Sequence, residues 1–199
     1  MIKVETFINS PIDSVTYIIS NPQNSESIII DPGTDQDERI TNYLYENRLN
    51  LNFIFITHEH FDHILGINFL RRAFPQIKVI SSEKTSERLS NPKKNLAIFH
   101  NQMNLIVNKS EIIVEAGSLN LIGLDFEIFE TPGHTDSSLS LRFHNLFFSG
   151  DFLLKSNRVV TNLPSGSTKQ YNASLNKYQN ILAGLTIFPG HGEKYIYNQ

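Results

Sequence analysis

His58-Glu59-His60-Phe61-Asp62-His63 places three imidazoles and two carboxyls in six consecutive positions, directly after an apolar run. Imidazole nitrogen and carboxylate oxygen suit zinc, iron or manganese. His58 and His60 lie two residues apart and point the same way from an extended backbone, whereas Asp62 and His63 at the start of a helix can face a neighbouring ion. The same composition would serve a solvated polar loop, but three histidines and an aspartate at these offsets rarely arise by chance. The chain has no cysteine, so disulfides and thiolate ligands are excluded and any transition-metal site must be built from histidine and carboxylate.

The elements that must position this cluster read as α/β. The runs "VETFI", "SVTYIIS" and "SIIIDPG" are β-branched or aromatic and are separated by turn residues, which predicts a meander. Thr34-Asp35-Gln36-Asp37 then supplies an N-cap and an acidic first turn for a helix carrying Ile40, Tyr43 and Leu44 and ending near Asn50. "FIFIT", Phe53 to Thr57, reads as a strand covered on both faces that feeds into the histidines. A helix is predicted from Asp62 or His63 to about Phe74, with Pro75 stopping it, and "IKVISS" as a further strand. Residues 91–110, rich in Asn and Lys without a sustained period, read as an irregular surface excursion. Strands return in "EIIVEAG", "SLNLIG", "LDFEIFETPG", "SLSLRFH" and "NLFFSGD". Ser167 and Gln170 then form a capping box for a helix with Tyr171, Leu175, Tyr178 and Leu182 on its buried stripe, and "LTIFPGHG" closes the pattern as a strand. Strands and helices repeat in this order roughly twice, as expected of two sheets packed face to face with helices outside.

Bulk properties narrow the function. At 199 residues and 40% apolar content the chain can bury one substantial core, so one domain over residues 1–199 is expected. A formal charge of −3, from 17 basic and 20 acidic residues, suggests neither a nucleic-acid footprint nor a polyacidic tail. The first ten residues lack the apolar core of a signal peptide, and no apolar run approaches transmembrane length, which predicts a cytoplasmic protein without a membrane partner. The oligomeric state is not legible.

"THEHFDH" resembles the His-x-His-x-Asp-His signature of the metallo-β-lactamase superfamily, whose fold is an αββα sandwich of two mixed sheets flanked by helices, with metals at one edge. The family expects a lone His, an Asp and a final His after later strands, and this chain has His134 in "TPGHT", Asp151 in "FFSGD" and His191 in "FPGHG". The resemblance runs from "IIIDPG" to residue 192. It implies two divalent ions, zinc expected and iron or manganese also compatible: one on His58, His60 and His134, the other on Asp62, His63 and His191, with Asp151 bridging. Taken singly, Asp151 also reads as a turn cap and His191 as a surface residue. His100 and His144 match no position of the pattern. Asp31 resembles a buried acid that many members carry near the motif, and reads equally as the first residue of an Asp-Pro-Gly turn. Thr57 and Gly66 are read as structural.

Two cations sharing one oxygen lower the pKa of bound water, so hydroxide is available at neutral pH, and Asp62 is the candidate catalytic residue that holds and orients it. A thiolate leaves without a proton near neutrality, which makes thioesters natural substrates for a site with no obvious proton-donating acid. One large class of metal-dependent β-lactamases has cysteine where Asp151 stands, which disfavours β-lactam cleavage. "TPGHTDSSLSL", "LFFSGDFLL" and "IFPGHG" are most similar to the glyoxalase II (hydroxyacylglutathione hydrolase) group, which cleaves S-acyl-glutathione. That group carries a C-terminal helical domain that binds glutathione; here eight residues follow His191, as in the short single-domain members. Val160-Thr161-Asn162-Leu163-Pro164 stands where short homologues often read Gly-Arg-x-Asp-Leu-Pro, which leaves the thiol carrier open. Lys93, Lys94 and Arg158 are read as solvated rather than as compensating contacts. The expected function is a dinuclear hydrolase of a small thioester or ester. The alternatives are a persulfide dioxygenase with one iron on two His and an Asp, or a lactonase-type esterase. A nuclease would need an inserted domain and a basic surface, and a scaffold protein would be expected to lose ligands.

Overall fold

A computed structural model describes residues 2–10, 12–155 and 158–198. Pro11 within the predicted "NSPID" turn, and Ser156 and Asn157 within the 155–168 segment, lie outside the described residues. Strands form where β-branched and aromatic residues cluster. β1 (Lys3–Asn9), β2 (Ser14–Asn21) and β3 (Glu26–Ile30) make an antiparallel meander, which β4 (Asn50–Phe55), β5 (Lys78–Ser81) and β6 (Ile112–Ile113) extend in parallel. The second sheet runs antiparallel through β7 (Gly117–Leu121), β8 (Leu124–Glu130), β9 (Leu139–Phe143) and β10 (Leu146–Gly150). β11 (Thr186–Pro189) joins it parallel to β10, and β12 (Tyr195–Ile196) forms the edge. The two sheets are therefore mixed, with six strands each.

Alternation within the apolar runs creates the layers. In β3, Ile28 and Ile30 join Val15, Phe55, Phe126, Leu141 and Phe148 in the core between the sheets, while Ile29 faces the opposite way. There it meets Ile54, Val79 and the apolar stripes of α1 (Arg39–Glu46) and α3 (Ile67–Ala73). On the far side of the second sheet, Phe147 and Ile187 pack against Tyr178 and Leu182 of α5 (Thr168–Leu182). The order is helix, sheet, sheet, helix, the αββα sandwich expected. Ser167 caps α5 by accepting from the Gln170 N–H at 3.3 Å, as its capping box predicts. No helix among the described residues is long and apolar enough to cross a membrane.

Two local expectations are corrected, and one helix lies where none is predicted. The helix expected across residues 62–74 is two: α2 (Phe61–Ile64) and α3, parted where the Gly66 N–H donates to the Pro32 carbonyl at 2.8 Å. A Cβ on Gly66 would sit 2.8 Å from that oxygen, so the chain needs glycine to make this contact. α1 starts at Arg39, not after a Thr34 cap; the buried Asp35 carboxylate accepts instead from the Ile40 and Thr41 N–H groups at 2.8 and 3.1 Å. A short helix α4 (Glu83–Arg88), capped by Ser82, was not legible as periodicity because it spans under two turns.

The topology collects chemistry at one edge. β3, β4, β10 and β11 end at Ile30, Phe55, Gly150 and Pro189, and Asp31, His58, Asp151 and His191 follow within three residues. Because β3 and β4 are parallel, as are β10 and β11, their carboxyl ends share a side. Truncating Ile29, fully buried in the helix-facing core, to alanine should cost about 2–5 kcal/mol in denaturant unfolding of the chelated protein. A cost below about 1 kcal/mol would contradict the packing described.

Candidate metal centre

After β4 the chain bends at Thr57 and His58 and is extended at His60, which has φ −60° and ψ 143° and immediately precedes α2. The His58 and His60 rings meet with centroids 4.6 Å apart, while Asp62 and His63 leave from the first turn of α2. Ser14 and His191 form a β-bridge between the two sheets, the Val15 N–H donates to the Gly190 carbonyl at 2.7 Å, and Ser14 Oγ donates to the Asp62 carbonyl at 2.6 Å. Gly190 permits the closure, since a Cβ there would collide with Asp151 Oδ1 and lie 2.8 Å from His63 Cε1. Segments from both sheets are thus pinned around one spot.

The sequence-predicted residues fall into two groups. His58 Nε2 and His134 Nε2 lie 3.1 and 2.9 Å from His60 Nδ1. Asp62 Oδ2 lies 3.2 Å from His191 Nε2 and 3.7 Å from His63 Nε2. Asp151 stands between: Oδ2 is 3.3 Å from His134 Nε2 and 3.6 Å from His191 Nε2, and Oδ1 is 3.6 Å from His63 Nε2. Donors about 2.0–2.1 Å from a tetrahedral cation are roughly 3.3–3.4 Å from one another, so both groups have the spacing to hold one. Within each of the sets His58–His60–His134 and Asp62–His63–His191, one donor atom per residue lies within 4.8 Å of the others.

Outer contacts fix which ring nitrogen faces inward. Asp31 accepts from the Thr57 N–H at 2.8 Å, from Thr57 Oγ1 at 2.6 Å and from His63 Nδ1 at 3.0 Å. Thr57 Oγ1, its proton already given to Asp31, accepts from His58 Nδ1 at 3.0 Å. His134 Nδ1 donates to the Val160 carbonyl at 2.7 Å. With protons on these outer nitrogens, the Nε2 atoms of His58 and His134 present lone pairs, and that of His63 does so once its second proton is displaced, the arrangement that raises the basicity of a metal-ligating histidine. Asp31 is therefore the hub of a buried network rather than a surface turn, and it adopts a left-handed φ of 49° to reach it.

The inner atoms fit a cation. His63 Nε2 and Asp151 Oδ1 are buried without a hydrogen-bond partner among the described residues, a state proteins rarely leave uncompensated. Burial and the adjoining imidazoles hold His58 well below the ordinary histidine range, and burial with His134 takes His60 down to about 3, so both are neutral ligand bases. The other half differs. Burial opposes protonation of His63, yet Asp62, Asp151 and Asp31 outweigh it and raise the ring to about 10. Burial likewise opposes ionisation of Asp62, but His63 and His191 hold it below the usual carboxylate range.

His100 stacks on Phe61 at 4.3 Å, and His144 occupies the turn before β10; neither joins the cluster. Lys93, Lys94 and Arg158 are exposed. Glu59, to which the sequence pattern assigns no role, is fully buried and salt-bridged to Arg88 at 2.7 Å. Its only signal is position, directly between two histidines whose rings turn to one another. A cavity of about 670 Å³ lies beside Gly192, walled by Ile8, Val15 and Tyr17, and none of the seven donors lines it.

Because His63 holds a proton up to about pH 10, cation uptake by the Asp62–His63–His191 half must displace it, and affinity there should rise with pH toward that value. Titration calorimetry of chelated protein at pH 8 should give a heat that changes with the buffer's ionisation enthalpy. A buffer-independent heat would contradict a protonated His63 in the metal-free chain.

The sequence profile described as the metallo-beta-lactamase superfamily matches residues 10–191. Hydroxyacylglutathione hydrolase 1 of Vibrio vulnificus is 34% identical over 74% of this chain, which spans 51% of that relative. A probable metallo-hydrolase of Streptococcus pyogenes is 30% identical, over 96% of this chain and 84% of its own length. The crystal structure of the BLEG-1 B3 metallo-beta-lactamase superposes with a TM-score of 0.89 at 26% identity, covering 97% of this chain and 93% of that one. With its two mixed sheets and paired donor groups, this chain belongs to the metallo-β-lactamase superfamily.

Proposed function

We propose that the chain is a dinuclear metal-dependent hydrolase of a small thioester or related ester. His58, His60 and His134 would hold one cation, Asp62, His63 and His191 would hold the other, and Asp151 would serve both. The carrying observation is the position of Asp151, whose two oxygens approach imidazoles of both groups at 3.3 and 3.6 Å. When bound, the cations supply Lewis acidity and bring a water within reach of ionisation near neutral pH. Asp62, ionised despite its burial, accepts a hydrogen bond from the attacking water and orients it toward the carbonyl carbon. Asp31 and Val160 keep the rings of His63 and His134 turned inward. A departing thiolate needs no proton near neutrality, whereas an amine does, and this favours a thioester. Zinc matches a donor set of imidazole and carboxylate without thiolate, which also admits iron and manganese.

S-acyl-glutathione is the first substrate to test, because the Vibrio relative is named for that class. The likeness to a B3 metallo-beta-lactamase supports a second reading, β-lactam cleavage, against the expectation drawn from the missing cysteine. Protein purified without added metal should contain two divalent ions per chain and release thiol from an acyl-glutathione. One iron per chain with oxygen consumption would replace the hydrolase by a dioxygenase, and turnover confined to β-lactams would favour the second reading. Asp151→Ala should lower metal content and turnover together. Retained occupancy with full activity would contradict the bridging role.

A further inference from the structure

Glu59 is the fully buried acid of the motif, and its partners draw three segments of chain together. Arg88 Nη1 on α4 donates to its Oε1 at 2.7 Å, Ser137 Oγ donates to its Oε2, and Ser165 Oγ reaches Oε1 at 3.4 Å. Arg88 also donates to both oxygens of Asp136, at 2.6 and 3.3 Å, and Lys84 adds a contact to Asp136 at 3.2 Å. Two acids and two bases close into a neutral network.

Each segment that Glu59 engages bears on the three-histidine group. Glu59 itself sits between His58 and His60. Asp136 and Ser137 lie in the turn just after His134, and Ser165 belongs to the segment whose Val160 carbonyl holds His134 Nδ1. Among the described residues, the side-chain hydrogen bonds of Arg88, Ser137 and Ser165 lead to Glu59, Asp136 and Thr135, on the three-histidine side of the site. His58 and His60 flank Glu59 directly and their ring centroids lie 4.6 Å apart, so holding the Glu59 side chain restricts the rotation of the short segment that carries both rings. An apolar side chain could fill the same space without the desolvation cost of a buried ion pair, but it would not hold direction.

We propose that Glu59 is a positioning residue that sets the mutual spacing of His58, His60 and His134, so that cation affinity at this half depends on it and affinity at the Asp62–His63–His191 half does not. The inference rests on the ligand assignment proposed above. It is independent of the substrate.

The halves can be separated by substitution. His191→Ala leaves the three-histidine group intact, and His134→Ala leaves the other. Cobalt(II) affinity would be measured in each background with and without Glu59→Gln, by competition with a chromophoric chelator and by the visible absorption of the bound ion. Glu59→Gln should weaken binding about 10- to 100-fold and alter the cobalt spectrum in the His191→Ala background. In the His134→Ala background the change should stay within about twofold. Equal weakening in both backgrounds would reduce Glu59 to a folding tie and overturn the proposal, as would no change in the first or a His191→Ala protein that binds no cobalt. Should Glu59→Gln fail to fold, Ser137→Ala removes the hydrogen bonds to Glu59 and Thr135 and should weaken only the three-histidine half, by about fivefold; absence of that selectivity is equally decisive. Wild-type protein that takes up two cations yet cleaves no thioester would contradict the proposed substrate and leave the Glu59 result standing.

Discussion

Repulsion among donors is the constraint around which this molecule is built. His58, His60 and His134 hold three inward nitrogen atoms about as close as hydrogen-bonded atoms sit, while the outer nitrogens of His58 and His134 commit their protons elsewhere. Two acceptor nitrogens, His58 Nε2 and His134 Nε2, converge on the one His60 Nδ1, which has at most a single proton to share between them, and a buried acceptor left short of a donor is unfavourable without a positive centre. Beside them, Asp62, Asp151 and Asp31 crowd around the His63 ring, and in the metal-free chain a proton on that ring relieves the charge. Both arrangements ask for a cation, one half because it is neutral and rich in lone pairs, the other because it is acidic.

The sandwich supplies the stiffness that such an arrangement needs. Three apolar layers hold the two sheets and their helices, and the donors hang from strand ends rather than from long free loops. The β-bridge between Ser14 and His191, the Gly190–Gly150 contact at 2.8 Å and the Leu139–Thr57 contact at 2.9 Å cross between segments immediately behind the ligands. Only the charges of Asp62 and Asp151 belong to the proposed donor set, so a pair of divalent ions would leave it positive. A positive site suits a reaction in which negative charge develops on a carbonyl oxygen.

Much of this was legible in the sequence because it rests on local pattern. The continuous apolar run Phe53 to Thr57 reads as a strand covered on both faces, and Ile54 and Phe55 do divide between two cores. The alternation of His58 and His60, followed by a helix start, predicts two groups of donors, and the structure places His58 and His60 near His134 and Asp62 and His63 near His191. What escaped depends on contacts distant along the chain. Nothing near Gly66 reports that Pro32 will break the helix there, and nothing near Asp35 reports that it will cap a helix from within a loop. Asp31 read equally as a turn, because its role depends on Thr57 and His63 arriving beside it. Glu59 was hidden for the same reason, since its partner Arg88 lies on a helix too short to show a period.

At the centre of the proposed chemistry, Asp151 lies between two cations held by the two donor groups. Diffraction from zinc-loaded crystals, recorded on either side of the zinc absorption edge, tests this directly. Two anomalous peaks are expected, one against His58, His60 and His134 and one against Asp62, His63 and His191, with the Asp151 carboxylate touching both. A single peak, or a pair that leaves Asp151 uncoordinated, would contradict it.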